Sequence, residues 1–168
     1  VREKGDLPAG EELAIGFVYG KDEAIKWRPV NDKRFIQDGA ARTLWGIEKI
    51  RAKLELPKTL VLVEGELDCL SIGSVMDIDV VSVPNGAPSK ISDKKPAKDD
   101  KKFEYLWDAR KVLSNCDKII LATDHDEAGE ALKEEIARRV GRAKCYQIDY
   151  PQMCKDPNDI LMASGAEE

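Results

Sequence analysis

Two apolar runs organise the second half of the chain, LVLV at 60–63 and IILA at 119–122, and both are continuous instead of alternating. Runs of this kind read as strands covered on both faces, the signature of a parallel sheet. Around them the period becomes helical. A helix is expected over 66–76 with Leu67, Leu70, Ser71 and Val75 on one side, and another over 102–114. A third, over 127–140, carries an apolar stripe of Ala128, Ala131, Leu132, Ile136 and Val140, has Arg138 and Arg139 near its end, and is capped by Gly141. Further strands are expected at 79–83, closed by Pro84-Asn85-Gly86, and at 144–149, with a short helix starting at Pro157. Alternation of strand and helix predicts an α/β domain whose mainly parallel sheet is flanked by helices.

The first 57 residues have a different rhythm. Strands are predicted at 14–19 and 24–30 about a turn at Gly20-Lys21-Asp22, with a third at 33–36. Within the second, Lys26 and Arg28 alternate with Ile25 and Trp27, so the two cations share a face. A short helix over 47–54 and Pro57 close this part. The expected organisation is a small basic β-rich lobe at 1–57 followed by the α/β domain at 58–168. Between the halves of that domain runs PSKISDKKPAKDDKK (88–102), whose charge and prolines predict a mobile loop dispensable for folding.

Composition narrows the function. With 168 residues, 42% of them hydrophobic, the chain can bury one sizeable core. Its formal net charge of -5 does not mark it as a nucleic-acid binder overall, yet residues 21–53 hold nine Lys or Arg against five Asp or Glu. The four cysteines form no CxxC pair and there is a single histidine, which argues against a zinc set or a disulfide framework. No apolar run reaches the length of a membrane span and no signal peptide opens the sequence, so a soluble intracellular protein is expected. The start at Val1 and the end after Ala166-Glu167-Glu168 fit a piece of something larger.

Chemistry concentrates in acids at two strand ends: Glu64 and Asp68 after the first run, and Asp124, Asp126 and Glu127 after the second. In open α/β sheets ligands bind outside the carboxyl ends of the strands, so the two clusters can share a crevice. Massed carboxylates raise each other's pKa unless a cation lies among them, and Mg²⁺ takes such hard oxygen ligands. Asp68, one helical turn beyond Glu64, either faces the same crevice or serves the helix dipole. Asp156, just before Pro157, is a strong N-cap candidate.

A glutamate ending one strand and DxDxxG ending a later one resemble the Toprim domain, shared by primases, topoisomerases and several nucleases, over about residues 58–165. The motifs fall on Glu64, Asp124, Asp126 and Gly129. The resemblance implies that Glu64, Asp124 and Asp126 are catalytic and that Glu64, Asp68, Asp124, Asp126 and Asp156 face Mg²⁺ or Mn²⁺, with Glu64 acting as ligand or as general acid or base. His125 falls where the family varies.

The first lobe, leading directly into VLVEGE, resembles the basic subdomain before Toprim in the primase halves of phage primase-helicases. That implies nucleotide or template contacts at Lys26 and Lys33, with Arg28 and Arg34 beside them, and places PNGA (84–87) near the active site. The implied activity is that of a DNA primase core, joining ribonucleoside triphosphates on single-stranded DNA, in a bacterial or phage-infected cytoplasm, with a replicative helicase fused or separate. Removing Lys26 or Lys33 should then weaken binding and leave stability nearly unchanged. The alternatives are a Toprim nuclease, with water as nucleophile, or a non-catalytic nucleic-acid-binding module. A topoisomerase needs a strand-holding tyrosine, and Tyr19, Tyr105, Tyr146 and Tyr150 lack that context.

Overall fold

The computed structural model of the protein describes residues 13–21, 24–31, 34–97 and 100–165. Strands β1 (Ala14–Tyr19), β2 (Ala24–Pro29) and β3 (Ile36–Gly39) form an antiparallel sheet in that order. Strands β4 (Thr59–Val63), β5 (Val80–Ser82), β6 (Lys118–Ala122) and β7 (Cys145–Gln147) form a parallel sheet ordered β5-β4-β6-β7. Helices α1 (Ile47–Arg51), α2 (Glu66–Val75), α3 (Glu104–Asp108), α4 (Arg110–Asn115), α5 (Glu127–Val140) and α6 (Pro157–Ser164) accompany them. This is the expected α/β architecture with a small β lobe in front.

The continuous apolar runs are explained by burial on both faces. Leu60, Leu62, Ile119 and Leu121 point into a core with Leu106, Val112, Leu132 and Ile136 from α3, α4 and α5. The alternate residues Val61, Val63 and Ala122 meet Cys69 and Ile72 of α2 on the other face. From the central pair β4 and β6 the chain departs in opposite directions, to β5 and to β7. The carboxyl ends of β4 and β6 therefore flank a topological switch point, where the acids predicted from sequence emerge.

The first lobe is joined to this sheet in two ways. Trp45 pairs antiparallel with Ser82 and covers the edge of β5, and Leu44, Ile47 and Ile50 enter the main core. In addition, four of the lobe's cations meet acids of the α/β half: Lys26 with Glu66, Arg42 with Glu104, Arg51 with Asp108 and Lys53 with Asp79. Part of the local basic surplus thus serves docking.

Several elements depart from expectation. In α2, Leu70 and Val75 are 47% and 42% exposed, whereas Glu66, Asp68, Cys69, Ser71 and Ile72 are buried. The helix turns polar residues inward because it faces a polar crevice and α6, where Ser71 Oγ donates to Asn158 Oδ1 at 3.1 Å. The helix expected over 102–114 breaks at Ala109 into α3 and α4, preceded by a 3₁₀ turn. Arg51 donates to the Asp108 carbonyl at 2.9 Å and Thr43 Oγ1 to its carboxylate at 2.6 Å, so tertiary partners capture the residue at the break. The third strand begins at Ile36, and Lys33 lies outside the described residues. The loop expected to be mobile is tied to α5: Ser92 N–H donates to Glu135 Oε1 at 2.5 Å, Arg138 donates to Ser92 O at 2.8 Å, and Asp100 pairs with Arg139 at 2.6 Å. Among the described residues no helix is long and apolar enough to cross a membrane.

Candidate metal centre

Glu64 is the first residue beyond β4, and Asp124 stands two residues beyond β6 in the neighbouring strand. Glu64 Oε1 accepts the Ala87 N–H at 3.4 Å, which brings the PNGA turn to the site, while its Oε2 is buried with no hydrogen-bond partner. Burial raises the Glu64 pKa, and Asp126 adds to the rise, against hydrogen bonding from the backbone of Ala87 and Asp124. At Asp124, burial together with Glu64, Asp68 and Asp156 pushes the pKa up to about 7. These acids therefore sense one another, as the sequence pattern requires.

The remaining acids have structural duties as well. Asp126 Oδ1 caps α5 by accepting Gly129 N–H at 2.8 Å, and Asp156 Oδ1 caps α6 by accepting Asp159 N–H at 2.7 Å. Each cap uses one carboxylate oxygen. Asp156 Oδ2 lies 3.8 Å from Lys155 Nζ, which also stands 4.0 Å from Asp124 Oδ2, so one lysine spans the two. His125 N–H donates to Lys155 O at 2.8 Å and fastens the DxD turn to the segment before α6. The glycine of DxDxxG has a steric cause: a Cβ at Gly129 would lie 2.0 Å from the Asp124 carbonyl oxygen. Only a residue without a side chain lets α5 start this close to the turn.

Asp68 is buried, accepts the Asn158 N–H at 3.3 Å, and is pushed up to about 6 by burial with Asp156 next in effect. The Tyr150 hydroxyl is buried without a partner, and its pKa is raised by burial and then by Asp68, Asp124 and Asp156. Tyr150 thus forms an apolar-bodied wall beside the acids, a placement that no local sequence pattern signals. Among the described residues no three acid, histidine or cysteine side chains converge as a preformed cage for a metal ion. The donors nonetheless fit a hard divalent cation that keeps much of its water. They are all oxygens, Glu64 Oε2 is orphaned in a buried position, and the raised pKa values of Asp124 and Asp68 reflect burial and repulsion that a cation would relieve.

Lys26 and Arg28 share a face, as alternation predicts, and both lie over the Phe35 ring, at 4.9 and 5.6 Å. Lys26, however, is not a loose surface cation. Its Nζ stands 2.5 Å from Glu66 Oε1 and donates to Pro84 O at 3.2 Å, and the Tyr19 hydroxyl donates to the same Glu66 oxygen. Glu66 is only 2% exposed. This corrects the expectation that loss of Lys26 would leave stability unchanged, because removal strands a buried carboxylate. Glu66 does not stand out in the sequence, where its place in the first turn of α2 offers only the ordinary reading of an acid on the helix dipole. Arg34 is exposed at the start of the segment leading to β3.

Comparison with known proteins follows the same outline. The Toprim-like family matches residues 61–161, which include Glu64, Asp68, Asp124, Asp126, Gly129 and Asp156. The Twinkle homolog protein, chloroplastic/mitochondrial, of Arabidopsis thaliana is 35% identical over 166 residues, covering 93% of this chain and 23% of its own length. The Primase homolog protein of the same plant is 34% identical over 166 residues, covering 92% of this chain and 48% of its own. This chain therefore spans less than half the length of either relative. Among solved structures, the primase fragment of the bacteriophage T7 primase-helicase protein superimposes with a TM-score of 0.70 at 25% identity, over 89% of this chain and 58% of that one. The family match covers more than half of the residues and falls on the sheet and the acids that define the crevice, so the chain belongs to the Toprim-like family.

Proposed function

We propose that this chain is the catalytic core of a DNA primase, which joins ribonucleoside triphosphates into short RNA primers on a single-stranded DNA template. The observation that carries the reading is the junction of the two sheets. The acid crevice opens beside a basic lobe fixed to it through Lys26 and Glu66, and likeness to the T7 primase fragment runs through both parts. A family likeness confined to the parallel sheet would leave nuclease and primase equal.

In the reaction the 3′-oxygen of the growing strand bonds to the α-phosphorus of the incoming nucleotide and pyrophosphate leaves. Glu64 and Asp124, with Asp126, Asp68 and Asp156 around them, would hold Mg²⁺ or Mn²⁺, whose positive charge would stabilise the attacking and leaving oxygens. Without metal, burial and the neighbouring carboxylates push the Asp124 pKa up to about 7, and Lys155 balances charge between it and Asp156. Lys26, Arg28, Lys33 and Arg34 are assigned to triphosphate or template. In this division of labour residues 1–57 position the substrates and 58–168 carry the acids. The proposed partner is a replicative helicase, fused or separate, in keeping with the T7 relative's name. The compartment is wherever such DNA is copied: a bacterial or phage-infected cytoplasm, or an organelle, where one Arabidopsis relative's name places that protein.

The test is to incubate the protein with labelled ribonucleotides, single-stranded DNA and Mn²⁺. Oligoribonucleotide products support the reading, and degraded template with no product replaces it with a nuclease. Binding without either reaction reduces the chain to a recognition module.

A further inference from the structure

The connection between β5 and α3 carries positive charge that nothing in the fold uses. Residues 88–102 contain six lysines and three aspartates, a surplus of +3 in a chain whose formal net charge is -5. Among the described residues, Lys90, Lys94, Lys95, Lys101 and Lys102 are all exposed and none of their side chains has an ion-pair or hydrogen-bond partner. Elsewhere in the α/β half cations of α5 and the segments after it are engaged, Lys133 with Glu130, Arg142 with Glu134 and Lys155 with Asp124 and Asp156.

The lysines are also gathered. Lys90, Lys94, Lys95 and Lys102 rim a concavity of about 350 Å³ whose floor includes Ser92 and Arg139. Two acids line it too, Glu135 and Asp100, but both are already consumed. Glu135 Oε2 lies against Arg138 and Arg139, and Asp100 Oδ2 stands 2.6 Å from Arg139. The lysines are therefore the uncompensated charge of the concavity. Its anchoring is firm, since Ser92 is held by Glu135 and Arg138 on α5. It is also continuous with the metal centre. Pro88 lines the concavity, and the preceding residue, Ala87, donates its N–H to Glu64. Lys90 stands in addition beside Glu127, Glu130 and Glu134 of α5, of which Glu130 is paired with Lys133 and Glu134 with Arg142, so the segment follows that helix from the crevice end towards Arg139.

We propose that the lysine rim formed by Lys90, Lys94, Lys95 and Lys102 is a phosphate-backbone track for a single nucleic-acid strand, leading away from the acid crevice along α5. The class of ligand follows from the chemistry. Spaced ammonium groups on flexible stems offer point charges to a polyanion without reading its bases. The concavity itself presents few aromatic faces on which bases could stack, so backbone contacts dominate and binding is independent of sequence. The proposal rests on the primase reading for the strand's destination but not for its capture.

The probe is a fluorescent single-stranded DNA of mixed sequence, titrated by anisotropy over a range of salt concentrations without divalent metal or nucleotide. The variant is Lys90→Ala/Lys94→Ala/Lys95→Ala/Lys102→Ala, with Lys111→Ala/Lys118→Ala as an off-track control. Removing one lysine–phosphate interaction lowers the slope of log affinity against log salt by about 0.7, equivalent to roughly fivefold in affinity at about 0.1 M salt. The expected result is a slope reduced by at least about two such steps in the track variant, a near wild-type slope in the control, and unchanged melting temperatures in both. Equal slopes in wild type and track variant overturn the proposal, as does an equal loss in the control, which would reduce the effect to net charge. If wild type makes primers yet the track variant binds as wild type does, only the track fails. If wild type binds no single strand at all, the track and the primase reading fall together.

Discussion

Two carboxylate clusters on opposite sides of α5 show what burial does with and without a counter-charge. At the far end Glu135 is only 1% exposed, and burial alone would raise its pKa. The Ser92 N–H and the Arg139 guanidinium outweigh that cost and hold it below the ordinary range. At the near end Asp124 and Asp68 are pushed up to about 7 and about 6, with the exposed Lys155 at 4.0 Å from Asp124. One cluster is complete within the fold. The other carries repulsion that protons or a cation would relieve, which is the property expected of a ligand site.

The comparison breaks most visibly at the complete cluster. Glu135→Gln removes the carboxylate shared by Arg138 and Arg139 in a part-buried site, leaving Asp100 to balance Arg139, and a loss of about 3 kcal/mol is expected from urea unfolding. If stability is unchanged, the arginines find solvent and the network is ornamental. A somewhat smaller loss, about 2 kcal/mol, is expected for Lys26→Ala, because Glu66 keeps the Tyr19 hydroxyl but loses its cation. Restoring most of that loss in Lys26→Ala/Glu66→Gln would show that the cost is the stranded charge, whereas simple additivity would show that it is not.

The incomplete cluster answers to pH. A carboxyl whose folded pKa lies above its unfolded value of about 3.9 stabilises the fold fully below that value, and the contribution disappears as pH rises through the folded pKa. Without divalent metal, stability should therefore decline between about pH 4 and pH 7, with Asp124 giving the upper limit and Asp68 titrating near 6. Asp124→Asn should flatten the upper part of the decline, and a wild-type profile in that variant would place the titration elsewhere. The smallest change is expected from Arg28→Ala, whose guanidinium lies over Phe35 at 5.6 Å: within about 0.5 kcal/mol in stability, with any loss confined to nucleotide or template affinity.

What could be read from the sequence, and what could not, divides along the same physical line. β4 and β6 were legible because burial on both faces demands continuous β-branched and apolar residues, and Asp124, Asp126 and Gly129 because a tight strand-to-helix turn leaves few alternatives. The facing of α2 was not legible. Its buried residues include Glu66, Asp68 and Ser71, and the apolar contact it makes through Cys69 and Ile72 is too narrow a stripe to betray its orientation beside the exposed Leu70 and Val75. The break at Ala109 depends on Arg51 and Thr43, more than fifty residues upstream, and the burial of Lys26 on Glu66, forty residues away. Local period carries no trace of partners so distant. The N-cap duties of Asp126 and Asp156 show a further ambiguity, since a carboxylate at a helix start serves the helix with one oxygen and can serve a ligand with the other.

The central claim is that the acids at the ends of β4 and β6 hold a divalent cation in place of protons. Calorimetric titration of Mn²⁺ into the nucleotide-free protein, in buffers of differing ionisation enthalpy, tests it directly. Wild type should bind with release of protons, more at about pH 6 than at about pH 8, because Asp124 must ionise to accept the metal. Glu64→Gln and Asp124→Asn should each weaken binding by at least about tenfold, and the second should abolish most of the proton release. Equal affinity in wild type and both variants, or binding without proton release at the lower pH, would contradict the account.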